Sequence, residues 1–356
     1  MVLSVQQNCI LTRTLHALEI LPTMMIGNDK MIAKPQLTVN LAAVRHNYLT
    51  LRNIHKFGRT GAVVKANAYG LSVEKIIPIL RHEGCRDFFI AQPQEYDAVA
   101  PFLKDDMQLY ILNGASLLTP EMLQNPHVIP VINNMEELSQ MPSLDHSCVH
   151  IDTGMNRFGA DEPDHQTTKI QIEIFQKIID SYRPQIASLA NSGGLLYHPM
   201  SHHDLSRPGI ALYGGILHKQ LKNVISLHAP IMQKRTLNRG DTVGYGASYV
   251  AQRRQNAYVL PVGYADGLPR SLSHQTYRTS DNIAISFLGR ISMDSCVVGL
   301  DPDPLVTPNY ISLIKTSQDL ISLAQAAGTI SYEILTAIGN QFRGSKSWVE
   351  DASYHG

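Results

Sequence analysis

Gly61-Ala62-Val63-Val64-Lys65-Ala66-Asn67-Ala68-Tyr69-Gly70 is an apolar run that ends in a turn and carries one lysine at its mouth. Short β-branched runs of this kind read as buried strands. Working outward, similar runs predict strands at 61–66, 87–92, 107–113, 128–133, 148–153, 186–191 and 206–213. Helical patterns fill the intervals. Ser72 is expected to cap a helix over 73–83 that Gly84 stops and Pro78 disturbs, and Ile170, Ile174 and Ile178 share one face of a helix over 166–180. Such alternation marks a parallel sheet wrapped by helices, and seven strands is one short of a closed (β/α)8 barrel.

After Gly215 the pattern changes to strands and turns, with Arg239-Gly240-Asp241 as a turn signal. Segments 242–250, 256–264, 282–298 and 309–315 read as strands, followed by amphipathic stretches at 317–327 and 331–338. The expected organisation is a peripheral extension at 1–34, an α/β barrel at 35–224 and a β-rich domain at 225–356. Residues 36–41 are also suited to pair into the second domain.

Composition excludes several classes of partner. Lys plus Arg and Asp plus Glu are equal at 30 each, so no net field favours nucleic acid or an anionic membrane, and a small molecule is the expected partner. Cys9, Cys85, Cys148 and Cys296 lie far apart without C-x-x-C spacing, which argues against a disulfide framework or a zinc site and for the cytoplasm. The apolar stretch at 17–26 is broken by Glu19 and Pro22 and is too short to span a bilayer. His198, His202, His203 and Asp204 lack a helix-borne ligand pair, so no metal is expected there. Gly244-x-Gly246 lacks the third glycine of a dinucleotide fingerprint.

A lysine at a strand end is either a snorkelling side chain or a desolvated nucleophile, and taken alone the first reading prevails. Barrel sites lie at the C-terminal strand ends, with phosphate often held by the last two loops. There the chain has Ala190-Asn191-Ser192-Gly193-Gly194, a hydroxyl beside glycines that permit close backbone approach, and Arg207-Pro208-Gly209-Ile210-Ala211-Leu212-Tyr213-Gly214, a guanidinium beside another such opening. Each fragment alone is an ordinary loop.

In order and spacing, however, these fragments and the lysine run resemble the alanine racemases, fold-type III pyridoxal-phosphate enzymes. So do Val243-Gly244-Tyr245-Gly246-Ala247-Ser248-Tyr249, Val262-Gly263-Tyr264-Ala265-Asp266-Gly267 and Gly289-Arg290-Ile291-Ser292-Met293-Asp294. The resemblance implies interconversion of L-alanine and D-alanine through a pyridoxal-phosphate aldimine, supplying D-alanine for peptidoglycan. It implies that Lys65 forms the internal Schiff base, and that Tyr69, Ser192 and the backbone of Gly209 and Ile210 hold the phosphate. Arg207 would face the pyridine nitrogen, Arg157 the phenolic oxygen and the substrate carboxylate, and the Met293 backbone the substrate. Racemisation uses two bases on opposite faces of the α-carbon. By the resemblance these are Lys65, for the D-antipode, and Tyr245 from the other subunit of a homodimer with composite sites, for the L-antipode.

Two departures stand beside the resemblance. Cys148-Val149-His150-Ile151-Asp152-Thr153-Gly154-Met155-Asn156-Arg157-Phe158-Gly159 resembles the family's fifth strand and loop, and Ala160-Asp161-Glu162-Pro163-Asp164-His165 the loop after its sixth, so one helix–strand unit is missing at Gly159/Ala160. That unit would bring a histidine supporting the pyridine-facing arginine. His150 stands where many relatives have a carbamylated lysine, and a neutral imidazole cannot reproduce the carbamate's charge. The expected fold is thus a (β/α)8-type barrel lacking one helix–strand unit, followed by a β-rich domain. Besides a working racemase, a degenerate inactive descendant and a non-catalytic pyridoxal-phosphate barrel protein stay open, the Tyr245/Tyr264 module arguing against the last.

Overall fold

The computed structural model describes residues 34–104, 106–141, 146–153 and 166–350. Expectations for 1–33 and for the loop at 154–165, Arg157 included, lie outside the described residues.

Five parallel strands follow in order: Ala62–Val63, Asp87–Ile90, Gln108–Ile111, Val128–Ile132 and Cys148–Val149. On the other side Arg59–Thr60 pairs in parallel with Leu205–Ser206, and the ladder continues through Gly61 N to Ser206 O at 3.0 Å and Val63 N to Pro208 O at 2.9 Å. The 187–190 segment attaches outside that, accepting from Leu205 N at Ala187 O (3.1 Å) and from Arg207 N at Ala190 O (2.8 Å). The order is that of a (β/α)8-type barrel. Among the described residues no backbone hydrogen bond joins 148–153 to 187–190, so the ladder stops there, at the place of the missing unit.

Burial follows that break. Parallel strands covered on both faces are apolar throughout, and Asp87–Ile90 and Val128–Ile132 are buried at every residue. At the seam, by contrast, Val149 is 60% exposed, Ile151 43% and Ile186 49%. The strand expected at 186–191 therefore does not form as one. Among the described residues two backbone–backbone bonds tie it to one neighbour and none to a second, and strand geometry is then not enforced. The run expected at 206–213 is likewise only Leu205–Ser206, after which the chain turns.

The β-rich part holds two larger sheets. One has the order Tyr310–Ile314, Ile225–Pro230, Gln36–Asn40 and Ser345–Val349. The other runs Gln233–Leu237, Gln255–Leu260, Cys296–Asp301, Ala284–Phe287 and Thr276–Arg278. The 36–41 segment thus pairs beside Ile225–Pro230, as its pattern allowed. The single run expected at 282–298 is two antiparallel strands joined by a loop that carries Met293, and the 242–250 run is a ribbon, Thr242–Val243 with Tyr249–Val250, whose turn carries Tyr245. Helices Ser317–Ala326 and Ser331–Gln341 follow. Thr316 and Asp319 close a reciprocal capping box at the first of them, the carboxylate accepting from Thr316 N at 2.9 Å. One apolar core runs from Leu37 through Phe88 and Tyr213 to Ile338, so barrel and β-rich part share an interior.

Candidate active site

Lys65 begins a left-handed turn. Val64 still pairs with the neighbouring strand (N to Phe89 O, 2.8 Å), and then Ala66, Asn67, Ala68 and Tyr69 all have positive φ, from 53° to 57°, before Gly70 at 82°. L-residues disfavour this region by about 1–2 kcal/mol each, so four in succession persist only where the surroundings over-determine them. Several bonds do so. Ala68 N donates to Val64 O and Gly70 N to Ala66 O, both at 2.8 Å, and Ala66 N donates to the Glu95 carboxylate. Glu95 also takes Ala91 N at 2.6 Å and Gln92 N at 3.1 Å. The side chain of Asn67 accepts from Val73 N at 2.9 Å and so starts helix Val73–His82. Ser72 occupies the cap position as expected, but its side chain makes no cap bond, and the helix runs through Pro78 unbroken.

The turn delivers the buried Tyr69 to a cluster of hydroxyls and amides. Its ring lies 4.8 Å from that of Tyr213, which anchors the strand end through its hydroxyl to Val63 O at 2.9 Å. Burial pushes the Tyr69 phenol up, keeping it a neutral donor. Ser192, at the head of Ser192–Tyr197, accepts at Oγ from Gly209 N (3.0 Å) and Ala211 N (3.2 Å). A Cβ on Gly209 would overlap the Tyr69 hydroxyl, so only glycine lets that backbone come so close. Tyr69, Ser192, Gly209 and Ile210 are thus brought together one turn from Lys65. The Tyr69 and Ser192 hydroxyls beside closely approaching glycine backbone are the kind of group that suits an anion such as the phosphate end of pyridoxal phosphate.

Arg207 lies on the seam side. Its guanidinium donates to Ser188 O at 2.9 Å, to the Ser188 hydroxyl, and to Leu189 O at 3.3 Å. The carbonyls of Ser188 and Leu189, which pair with no strand among the described residues, thereby receive a charged donor. Ser188 Oγ in turn donates to Leu205 O at 2.6 Å. Ser188 thus holds Arg207 through both its carbonyl and its hydroxyl. Burial lowers the Arg207 pKa, and the nearby Cys148 thiol opposes that shift. His150 is lowered by burial first and then by Arg207, and its Nδ1 lies 2.8 Å from Asn133 Oδ1. A neutral imidazole thus stands beside the arginine.

The other expected residues sit elsewhere on the chain. Tyr245 is 77% exposed on its ribbon turn, and none of the described contacts joins it to Lys65, Tyr69 or Ser192. Met293 and Ser292 receive backbone bonds at their carbonyls from Ala265 N (3.0 Å) and Tyr264 N (3.1 Å), which ties two of the sequence motifs together. Asp266 fixes that pair of loops, accepting from Gly263 N at 3.0 Å and from Arg343 Nε at 3.0 Å, while Arg343 also reaches Asp294 at 2.7 Å. The sequence reading missed Glu95 and also Tyr332, whose ring comes within 6.2 Å of Tyr69 from helix Ser331–Gln341. The amphipathic pattern at 331–338 gave the helix, but no local signal marked its tyrosine. His198, His202, His203 and Asp204 form no metal cluster among the described residues.

The C-terminal domain of alanine racemase, as a family model, matches residues 224–345, and its N-terminal domain matches in two pieces, 39–162 and 159–216, which meet where the helix–strand unit is missing. A catabolic alanine racemase of Agrobacterium fabrum is 33% identical, over 88% of this chain and 92% of its own length. Its alignment spans 357 residues, so it holds residues that this 356-residue chain lacks. An alanine racemase of Brucella canis is 34% identical over 86% of this chain and 92% of its own. Among solved structures, alanine racemase from Bartonella henselae with covalently bound pyridoxal phosphate superposes with a TM-score of 0.79 at 29% identity, over 89% of this chain and 100% of that one. The biosynthetic enzyme of Pseudomonas aeruginosa gives 0.76 at 26%, over 90% and 100%. With both halves matched and the motifs on the elements described, this chain belongs to the alanine racemase family.

Proposed function

We propose that this chain is a pyridoxal-phosphate-dependent racemase that interconverts L-alanine and D-alanine, built from a cofactor-binding barrel at 35–224 and a β-rich domain at 225–356. The observation that carries the reading is the convergence of Tyr69, Ser192 and the Gly209 amide one turn from Lys65. Lys65 Nζ would hold the cofactor covalently. Tyr69, Ser192 and the amides of Gly209 and Ile210 would bind its phosphate, and Arg207 would stand at its pyridine nitrogen. Bound there, pyridoxal phosphate supplies the electron sink that makes the α-proton of an attached amino acid acidic. An arginine beside the pyridine keeps that sink weak, which favours reprotonation over transamination. Arg157 would reach the cofactor's phenolic oxygen and the substrate carboxylate, a task for a planar multi-donor cation, and the Met293 backbone would contact the substrate. Lys65 moves the proton on the D face and Tyr245 of the partner subunit on the L face. The high exposure of Tyr245 supports a homodimer in which it covers the neighbouring barrel mouth.

Among the described residues no helix is long and apolar enough to cross a membrane, and a cytoplasmic enzyme supplying D-alanine for peptidoglycan is the cellular reading we propose. A second reading has its own support. The lack of backbone pairing between 148–153 and 187–190 among the described residues and the commitment of Arg207 to Ser188 and Leu189 favour a chain that binds cofactor without turnover.

Borohydride reduction of the cofactor-loaded protein, followed by peptide mapping, should place the pyridoxyl group on Lys65. A label elsewhere, or none, removes the assignment. Solvent deuterium should then enter the α-position of L-alanine and D-alanine. Labelled Lys65 without any exchange would establish the second reading. Tyr245→Phe should slow exchange from L-alanine while leaving cofactor absorbance in place.

A further inference from the structure

The last described strand, Ser345–Val349, reaches the lysine turn. Lys346 Nζ donates to Gly70 O at 2.5 Å and to Gly339 O at 2.9 Å. Gly70 closes the left-handed turn that begins at Lys65, and Gly339 lies near the end of the helix that carries Tyr332. The two backbones touch there, since a Cβ on Gly70 would meet Gly339 at 2.7 Å and one on Gly339 would meet Gly70 at the same distance. The last carbonyls of a helix lack partners within it, so the ammonium satisfies one such group together with the end of a strained turn. Trp348, on the same strand, donates from Nε1 to Leu71 O at 3.0 Å, and its ring centroid lies 5.3 Å from Lys346 Nζ. Among the described residues no carboxylate pairs with Lys346, and burial lowers its pKa. Carbonyl dipoles and an aromatic face take the place of a counter-ion.

We propose that Lys346 is a positioning residue for the cofactor lysine: it clamps the turn bearing Lys65 and Tyr69 to the helix bearing Tyr332, and so sets the width of the phosphate site. The proposal rests on the reading of Lys65 as the cofactor's point of attachment, and it adds a contact from the far end of the chain. With the clamp removed, the turn keeps its internal bonds and the Glu95 carboxylate but loses its fixed distance to the Tyr332 helix.

The test compares the full-length protein with Lys346→Met, which keeps the stem without donors, and Lys346→Arg, which keeps donors. Hydrogen exchange of the peptide spanning 66–72 in the cofactor-free protein should quicken about tenfold in the Met variant. The dissociation constant for added pyridoxal phosphate should rise about tenfold, as for loss of an outer-shell partner. The visible band of the bound cofactor should titrate at a different pH, and the Arg variant should return all three readings toward the parent. Should the Met variant not fold, Trp348→Phe removes the bond to Leu71 and the larger ring beside Lys346, and should quicken the same exchange by a smaller factor. Unchanged exchange at 66–72 in whichever variant folds overturns the proposal. A drop in melting temperature with unchanged exchange, cofactor affinity and band titration overturns it too, leaving Lys346 a structural residue. If the parent itself bound no cofactor at Lys65, the functional reading would fall, while the exchange measurement would still decide whether Lys346 holds the turn.

Discussion

One methyl group at Gly209 measures how closely the phosphate end is built. The added Cβ would overlap the Tyr69 hydroxyl and come within 3.0 Å of its Cζ and 3.3 Å of Val63 Cβ. Tyr69 cannot retreat, because Tyr213 packs against it and is itself fixed to Val63. Gly209→Ala should therefore weaken cofactor binding by about two orders of magnitude, equivalent to about 3 kcal/mol, while the circular dichroism of the fold is kept. Titration of the cofactor-free protein with pyridoxal phosphate reads the effect, and parent-like affinity would mean that Tyr69 is not held as described. At this scale the sequence named Lys65, Tyr69, Ser192, Arg207, Gly209 and Ile210 because each lies in a short contiguous motif. Glu95, Tyr332 and Lys346 were out of reach because each acts across a long stretch of chain. The left-handed turn was hidden for a different reason. Ala66-Asn67-Ala68-Tyr69 contains no glycine, so nothing in its composition announces four left-handed residues, which the turn's own bonds and the distant Glu95 carboxylate hold together.

The strands and helices were legible where they have neighbours on both sides. The runs at 87–92, 107–113 and 128–133 gave strands because continuous apolar residues are what a doubly covered parallel sheet requires. The run at 186–191 failed by the same logic, since no described strand pairs with its outer side. An unsatisfied edge also invites pairing with other chains. The exposed Val149, Ile151 and Ile186 add apolar surface to that edge. Inserting the corresponding helix and strand of a close relative between Gly159 and Ala160 should raise the melting temperature and tighten cofactor binding, through a closed ladder and a relieved Arg207. Differential scanning calorimetry and cofactor titration check this. If the native chain already equals the repaired one in both, the Arg207 and Ser188 contacts close the seam well enough, and the gap is no defect.

Across the whole molecule, stability should depend on pH through buried imidazoles. His55, His150, His203 and His228 are all lowered, in each case chiefly by burial. Around them stand His202 and Asp204 for His55 and His203, Arg207 and Asp152 for His150, and Lys315 for His228. A histidine whose folded pKa is depressed stays neutral in the fold while the unfolded chain takes up a proton, so stability is lost as pH falls below about 6.5. Asp87, raised by burial, works in the opposite sense as its carboxyl is neutralised. The melting temperature should be flat from pH 8 to 7 and should fall from 6.5 toward 5, on the imidazole reference value. His203→Leu, which also removes a buried ring nitrogen without a hydrogen-bond partner, should make that fall shallower. An equal slope in the variant would remove His203 from the account.

The sheet that holds Gln36–Asn40 between Ile225–Pro230 and Ser345–Val349 also bears on how the chain is made. Its inner strand leaves the ribosome before either neighbour exists. Leu37 and Val39, wholly buried in the finished protein, must then remain uncovered while the barrel is translated. The nascent chain therefore carries an unpaired apolar strand at least until Ile225–Pro230 has been translated, an exposure that favours association with other chains during synthesis.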